Sequence, residues 1–204
     1  MSRALARAPG GGAATDRAAA RAPIPRPGIL LDRDGTIIVD SGYVGSVDRV
    51  QFIDGAPEAI ASFNRAQIPV ALITNQAGIA RGFYGIEDVT QVHRYIATRL
   101  AEHDAHIDLY FYCPYHPEGT VEAFARASED RKPRPGMALA AAAALNLDLT
   151  ASWVVGDRLE DIGLAVAVGA SAIYLGHEAR NGPAVWAYPS LAASAPFILE
   201  RIAI

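Results

Sequence analysis

A chain of 204 residues, 51% hydrophobic and 20% charged, is long enough for one domain with a sizeable core, and no apolar run in it approaches the ~18 residues of a membrane span. Its single cysteine, Cys113, excludes an intrachain disulfide and a zinc site built from several thiolates, which fits a reducing compartment. With a net charge of −4 and no secretory leader, a cytoplasmic, monomeric protein that contacts neither membrane nor nucleic acid is expected.

Residues 1–27 carry five arginines against Asp16 alone and are rich in Ala, Pro and Gly without hydrophobic period. Such a segment has too little apolar surface to offset the entropy of ordering, so a disordered extension is expected. An Arg-rich, acid-poor tail also resembles an organelle transit peptide or an RNA-binding arm, but no aromatic residues interleave with the arginines. The domain is expected to span 28–204.

From Pro27 onward, short β-rich runs alternate with longer segments of helical period, the pattern of an α/β domain with a central parallel sheet. Strands are predicted at Gly28–Leu31, Pro69–Ile73, Asp108–Tyr112, Trp153–Val155 and Ala172–Leu175. Helices are predicted at Pro57–Ala66, Ile86–His103, Pro135–Leu145 and Glu160–Val168, each with Pro, Gly or Asp near its start. Two irregular stretches remain, Ile37–Gly55, which reads as a β-hairpin flap, and the proline-rich Cys113–Arg134. Both follow strands on the edge where open α/β sheets place their ligands. His93, His103 and His106 read as surface residues on or after a helix.

The first strand ends in Asp32-Arg33-Asp34-Gly35-Thr36. A D-x-D-G-T match arises by chance in roughly one chain of this length in several hundred. Two carboxylates in a loop leaving a buried strand can converge on one phosphorus, one as nucleophile and one as acid; the alternative is an Asx-type turn in which both cap backbone amides. After the fourth strand, Asp157 and Asp161 lie one helical turn apart at a helix start, where N-terminal capping is the alternative role. Carboxylates gathered from both segments at one sheet edge would repel one another unless a hard cation such as Mg²⁺ neutralised them. The second strand runs into Thr74-Asn75-Gln76, whose hydroxyl and N–H groups suit phosphate oxygens. Lys132 is the only lysine among 18 Lys and Arg residues, and a compact ammonium suits a point contact to a carboxylate and a phosphate.

In this order the four motifs resemble the haloacid dehalogenase (HAD) superfamily of phosphohydrolases, over residues 28 to about 175. Within it, Gly42-Tyr-Val, Thr74-Asn-Gln-Ala-Gly-Ile-Ala-Arg-Gly82, Tyr112-Cys-Pro-Tyr-His-Pro117, Arg131-Lys-Pro-Arg-Pro-Gly-Met137 and Val155-Gly-Asp-Arg-Leu-Glu-Asp161 are similar to the D-glycero-D-manno-heptose 1,7-bisphosphate 7-phosphatases and the related histidinol-phosphate phosphatases. The resemblance implies a Rossmann-like α/β fold with a minimal cap, made of a short flap plus an irregular loop. It implies Asp32 as nucleophile, Asp34 as general acid and then base, and Mg²⁺ held by Asp32, the Asp34 carbonyl and Asp157, with Asp161 in support. Substrate would be lined by Asp40, Ser41, Gly42, Tyr43, Thr74, Asn75, Gln76, Ala77, Arg131, Lys132 and Arg158. The implied partner is a small phosphorylated metabolite, with a sugar bisphosphate favoured over histidinol phosphate and other small metabolites; a non-catalytic binding module would show damage at the acid–base or metal positions. Asp34 needs a proton at the outset, so nearby negative charge is expected to raise its pKa.

One departure has chemical weight. Many relatives hold a structural zinc through a C-x-H and a later C-x-C, and Cys113, Tyr115, Ser128 and Asp130 stand at the matching positions. His116 is offset by one residue. An irregular site from Cys113, His116 and Asp130 remains open, but no structural zinc is expected, and Cys113 reads as an ordinary buried residue.

Overall fold

Runs such as Ile29-Leu-Leu and Val70–Asn75 are apolar at successive positions, so neither face of the strand can be left to water and both must be covered. The computed structural model, which describes residues 24–176 and 185–202, satisfies this with a six-stranded, wholly parallel sheet between two helical layers. The strands are β1 (Ile29–Leu31), β2 (Val70–Asn75), β3 (Leu109–Cys113), β4 (Trp153–Gly156), β5 (Ser171–Leu175) and β6 (Val185–Tyr188), in spatial order β3-β2-β1-β4-β5-β6. The helices are α1 (Ala56–Arg65), α2 (Ala77–Ala80), α3 (Ile86–Ala101), α4 (Gly136–Leu145), α5 (Leu159–Val168) and α6 (Leu191–Ile202).

Alternation along β1 divides the core. Ile29 and Leu31 pack with Phe63 of α1, Ile96 of α3 and Ile198 of α6, whereas Leu30 faces Met137 and Ala141 of α4 and Leu164 of α5. Each of the larger of these side chains, Ile, Leu, Phe or Met, contributes about 1.5–3 kcal/mol by leaving water. The chain winds from β1 outward through β2 to β3, then returns to β4 on the other side of β1. Strand order therefore reverses between β1 and β4, and the crevice outside their carboxyl ends is where an open α/β sheet binds its ligand.

The predicted strands and helices lie where expected, within one or two residues at most ends. Three elements were not anticipated: short α2, β6, and α6, whose Pro196 interrupts the helical reading while Leu191, Ala195 and Ile198 still face the core. Of the expected extension, residues 1–23 lie outside the described residues. Arg26 pairs with Leu147, and its carbonyl accepts from Asp148 N at 2.9 Å. No described helix is long and apolar enough to cross a membrane.

Two expectations are corrected. Ile37–Gly55 is not a regular hairpin: only its base pairs as one, through the antiparallel Ile38–Phe52 bridge and the bonds from Val39 N to the Gln51 carbonyl at 2.8 Å and from Ile53 N to the Ile37 carbonyl at 3.0 Å, before a 3-10 turn at Val47–Arg49. Beyond that base Gly42 and Tyr43 take positive φ, and the Arg49 guanidinium collects the carbonyls of Ser41, Gly42 and Tyr43 at 2.8–3.1 Å. His93 is not a surface residue, since it is only 8% exposed, with ring contacts to Tyr110 and Tyr112, whereas His103 and His106 are exposed. Burial, and then the Arg33 charge, push the His93 pKa down to about 3. In the unfolded chain His93 titrates near 6.5, so the unfolded state binds the extra proton between those values and stability falls as pH drops through this window. His93→Phe, which keeps an aromatic ring but cannot titrate, should be the less acid-sensitive protein by about 1 kcal/mol per pH unit below about pH 6 in urea unfolding. Parallel pH dependences for the two proteins would contradict this account of His93.

Candidate active site

The carboxyl ends of β1, β2 and β4 bring their polar residues to one point, and Lys132, from the loop before α4, joins them. Its Nζ donates to Asp32 Oδ1 at 2.7 Å, to Asp161 Oδ1 at 2.6 Å and to the Ile73 carbonyl at 2.9 Å, so every ammonium proton is used. Asn75 holds the lysine backbone from both sides, accepting from Lys132 N and donating to its carbonyl. Lys132 is 4% exposed and Asp32 6%. Burial alone would lower the ammonium pKa, but the Asp32 and Asp161 carboxylates outweigh it and raise it above its ordinary value.

Asp34 stands in a different environment two residues on. Arg33, fully buried, bonds it through Nε to Oδ2 at 3.1 Å and Nη2 to Oδ1 at 3.0 Å, and Gln76 Nε2 adds a bond to Oδ2 at 3.0 Å. Its pKa is raised, as expected, but burial is the leading cause; Arg33 opposes, and the Asp32 charge adds to the rise. The same strand end thus holds one carboxylate paired with an ammonium and one whose pKa burial raises.

Asp157 lies beneath Asp32, in the turn between β4 and α5. Oxygens of Asp32, Asp157 and Asp161 fall within 4.8 Å of one another. Asp161 is engaged by Lys132 and by Arg158 N, at 3.0 Å, whereas Asp157 Oδ1 is buried without a hydrogen-bond partner. Burial, and then Asp32, raise the Asp157 pKa to about 7. A Cβ at Gly35, where φ is +80°, would lie 2.3 Å from Asp157 Oδ2, so only glycine admits this approach. An orphaned carboxylate oxygen beside a second carboxylate fits a hard, oxygen-ligated cation.

Above these groups opens a cleft of about 410 Å³. Its walls include Asp32, Asp34, Asp40, Gly42, Tyr43, Thr74, Asn75, Gln76, Ala77, Arg131, Lys132 and Arg158. Of the expected residues, Ser41 and Asp157 do not line it: Ser41 turns to Arg49, and Asp157 sits below. The Asn75 side chain is committed to Lys132, and Arg158 reaches across the mouth to Asp40 at 2.5 Å. Tyr84 and Glu160 line the cleft without having been anticipated, and the fully buried Arg33, bonded to Asp34 but outside that lining, was not anticipated either. The only sequence cue to Arg33 is a charged residue between two aspartates at the end of an apolar strand; Tyr84 offered none.

In the loop after β3, Cys113 is buried, with Sγ 3.8 Å from the Tyr115 carbonyl, and burial raises its thiol pKa. The Tyr115 ring lies against Phe124 and beneath the Arg126 guanidinium, 4.1 Å from the ring centre. Among the described residues, Cys113, His116 and Asp130 do not come together as a three-ligand set.

Removing the ammonium would strand two buried carboxylates. In chelator at neutral pH, Lys132→Met should lose about 3–5 kcal/mol of stability in urea unfolding; a loss below about 1 kcal/mol would show that the buried pair is not what ties these segments together.

The comparisons agree with this geometry. The HAD-hydrolase-like family model matches residues 130–185. The chain is 44% identical over 141 residues, 69% of its length and 74% of the relative's, to the D-glycero-beta-D-manno-heptose-1,7-bisphosphate 7-phosphatase of Escherichia coli K12. It is 40% identical over 177 residues, 87% and 92% of the two chains, to that of Yersinia pestis. Among solved structures, it matches a HAD-like phosphatase of Mesorhizobium loti with TM-score 0.79 and 34% identity, covering 88% of this chain and 87% of that one. It matches the D,D-heptose 1,7-bisphosphate phosphatase of B. bronchiseptica, complexed with magnesium and phosphate, with TM-score 0.75 and 30% identity, covering 85% and 98%. The carboxylates at the strand switch point, the lysine that joins them and these likenesses together place the chain in the HAD-like phosphatases, in the family of the heptose 1,7-bisphosphate 7-phosphatases.

Proposed function

We propose that this phosphatase removes the 7-phosphate of D-glycero-D-manno-heptose 1,7-bisphosphate through a phosphoryl intermediate on Asp32, with Asp34 as acid and then base. The observation that carries the reading is the divided environment of the two carboxylates: the Lys132 ammonium is salt-bridged to Asp32 at 2.7 Å, whereas Asp34 meets Arg33 and Gln76 and burial raises its pKa. A nucleophile must be ionised and an acid must hold a proton, so neighbouring residues of one type take opposite roles.

Asp32 attacks phosphorus in line, and the leaving alkoxide takes the Asp34 proton. Asp34, now a carboxylate, accepts a proton from the water that attacks the acyl phosphate and frees Asp32. Lys132 and Thr74, at the floor of the cleft, supply positive charge and a hydroxyl to the phosphoryl oxygens. Magnesium, held by the Asp32 and Asp157 carboxylates and the Asp34 carbonyl, would offset the repulsion between a phosphate dianion and an attacking carboxylate. Arg131 and Arg158 at the cleft wall suit the phosphate that is not cleaved. The names of the similar proteins support the sugar, and the magnesium and phosphate in the B. bronchiseptica structure support the ion.

Asp32→Asn should lose turnover by at least about 1,000-fold while keeping the fold, and chelation should abolish wild-type activity until Mg²⁺ is restored. In a panel of phosphorylated metabolites the heptose bisphosphate should exceed histidinol phosphate in kcat/KM by about tenfold or more. Full activity in chelator, or a preference for histidinol phosphate, would contradict the respective parts of the reading.

The loop after β3 is read as ordered without zinc, supported by the Tyr115–Phe124–Arg126 stack and by Tyr115, Ser128 and Asp130 at three of the four ligand positions. A structural zinc contributes on the order of 10 kcal/mol, so its presence would be plain. Purified protein should hold substoichiometric zinc by elemental analysis, and Cys113→Ser should retain stability and activity. One tightly held zinc per chain, with unfolding on its removal, would overturn this part.

A further inference from the structure

The Asp34 carboxylate is held by a frame of Arg33, Gln76 and Tyr84, of which Arg33 is fully buried. Adjacent residues of an extended strand point to opposite faces, yet Arg33 and Asp34 meet through two hydrogen bonds because the chain turns at Gly35, where φ is +80°. The turn is fixed by the Arg33 carbonyl, which accepts from the N–H groups of Thr36, Ile37 and Ile38. The guanidinium is anchored in turn: the two Nη2 protons are shared among Asp34 Oδ1, the Val44 carbonyl at 2.8 Å and Gln76 Oε1 at 3.0 Å.

Gln76 closes the frame. Its Nε2 donates to Asp34 Oδ2 and, at 2.9 Å, to Thr74 Oγ1, while its Oε1 accepts from Tyr84 OH at 2.7 Å. The tyrosine ring lies so close to two glycines that a Cβ at Gly45 would stand 2.1 Å from it and one at Gly78 2.3 Å. One glycine belongs to the flap segment and the other to α2, so the phenol is pressed between two parts of the chain with its hydroxyl on the amide. Asp34 Oδ2 accepts two bonds, from Arg33 and Gln76, whereas Oδ1 accepts one. With two lone-pair sites on each carboxyl oxygen, Oδ1 keeps the site that can carry a proton.

We infer that Arg33 is the positioning residue of the acid–base step: with Gln76 and Tyr84 it fixes the Asp34 carboxyl plane and selects Oδ1 as the oxygen that exchanges the proton. The inference rests on the proposed role of Asp34. In the first step the Asp32 oxygen–phosphorus bond forms, the phosphorus–alkoxide bond breaks, its electron pair goes to the leaving oxygen, and the Oδ1 proton follows. In the second, a water oxygen bonds phosphorus as its proton passes to Oδ1, and the acyl phosphate bond breaks to regenerate the Asp32 carboxylate. A turned or wandering Asp34 would spoil both transfers while leaving Asp32 and Lys132 in place.

This signature is separable from general damage. An alkyl phosphate needs the acid in the first step, whereas p-nitrophenyl phosphate has a leaving group that departs without it; both need the base in the second. The test uses full-length protein with saturating Mg²⁺. A lysine cannot reproduce the bidentate contact, so Arg33→Lys should lower kcat on the sugar phosphate by about 100-fold with KM within about threefold. On p-nitrophenyl phosphate it should release a rapid burst of about one nitrophenolate per active site before a slow steady state. Tyr84→Phe, which removes only a hydroxyl, should show the same asymmetry at about 3–10-fold and decides the matter if Arg33→Lys does not fold. Asp34→Asn should also give the burst, and Asp32→Asn should not. Absence of the burst in Asp34→Asn would overturn the acid–base reading of Asp34 and the inference with it. A burst there, with Tyr84→Phe indistinguishable from wild type or Arg33→Lys equally slow on both substrates without a burst, would overturn the positioning role alone.

Discussion

A single buried ammonium joins four separate pieces of this chain. Lys132 Nζ binds the end of β1 through Asp32, the end of β2 through the Ile73 carbonyl and the start of α5 through Asp161, while its own loop is tied to β2 by Asn75. Such a group is costly to bury, and the cost is offset only when every proton finds an oxygen and the partners carry opposite charge. The geometry follows from that constraint. Asp32 must face inward at the strand end, and Asp161 must occupy the first turn of its helix, where its Oδ2 also accepts from Arg158 N. Gly156 must lack a side chain, since a Cβ there would stand 2.1 Å from the Asp161 carboxylate.

With Asp32 so held, the rest of the site is an arrangement of charge around it. Asp157 lies close enough to feel Asp32 and has a buried oxygen with no hydrogen-bond partner, a donor set that fits a hard, oxygen-ligated cation. Asp34, on the other side, meets an arginine rather than a lysine. A flat guanidinium fixes the orientation of a carboxyl group where a point charge fixes only its distance. The two basic residues therefore do different work on two carboxylates that are chemically alike. The sheet contributes the meeting place, because only between β1 and β4 do the connections leave in opposite directions and open a crevice.

Much of this was legible in the sequence, and what escaped did so for physical reasons. The apolar runs at Ile29–Leu31 and Trp153–Val155 could be read as buried parallel strands because no polar alternation interrupts them. Asp32, Asp34, Lys132 and Asp157 stand out in the sequence by type and order, and the structure brings them to one sheet edge. His93 was misplaced because one buried imidazole on a helix with exposed neighbours looks like any surface histidine until Tyr110 and Tyr112 are known to pack on it. Ile37–Gly55 reads as a full hairpin but pairs only at its base, because the capture of three carbonyls by Arg49 is a tertiary event with no periodic trace. Tyr84 was missed for the same reason: its role depends on Gly45, 39 residues away, meeting Gly78 around one ring.

The account turns on Asp32 becoming covalently phosphorylated, and a rapid acid quench of a single turnover tests this most directly. Mixed with Mg²⁺ and excess enzyme, then digested and weighed by mass spectrometry, the substrate's phosphoryl group should appear transiently on the peptide that contains Asp32 and decay as inorganic phosphate accumulates. Its appearance on another residue, or phosphate release with no phosphorylated peptide at any time even in an Asp34→Asn variant slowed in the second step, would contradict it.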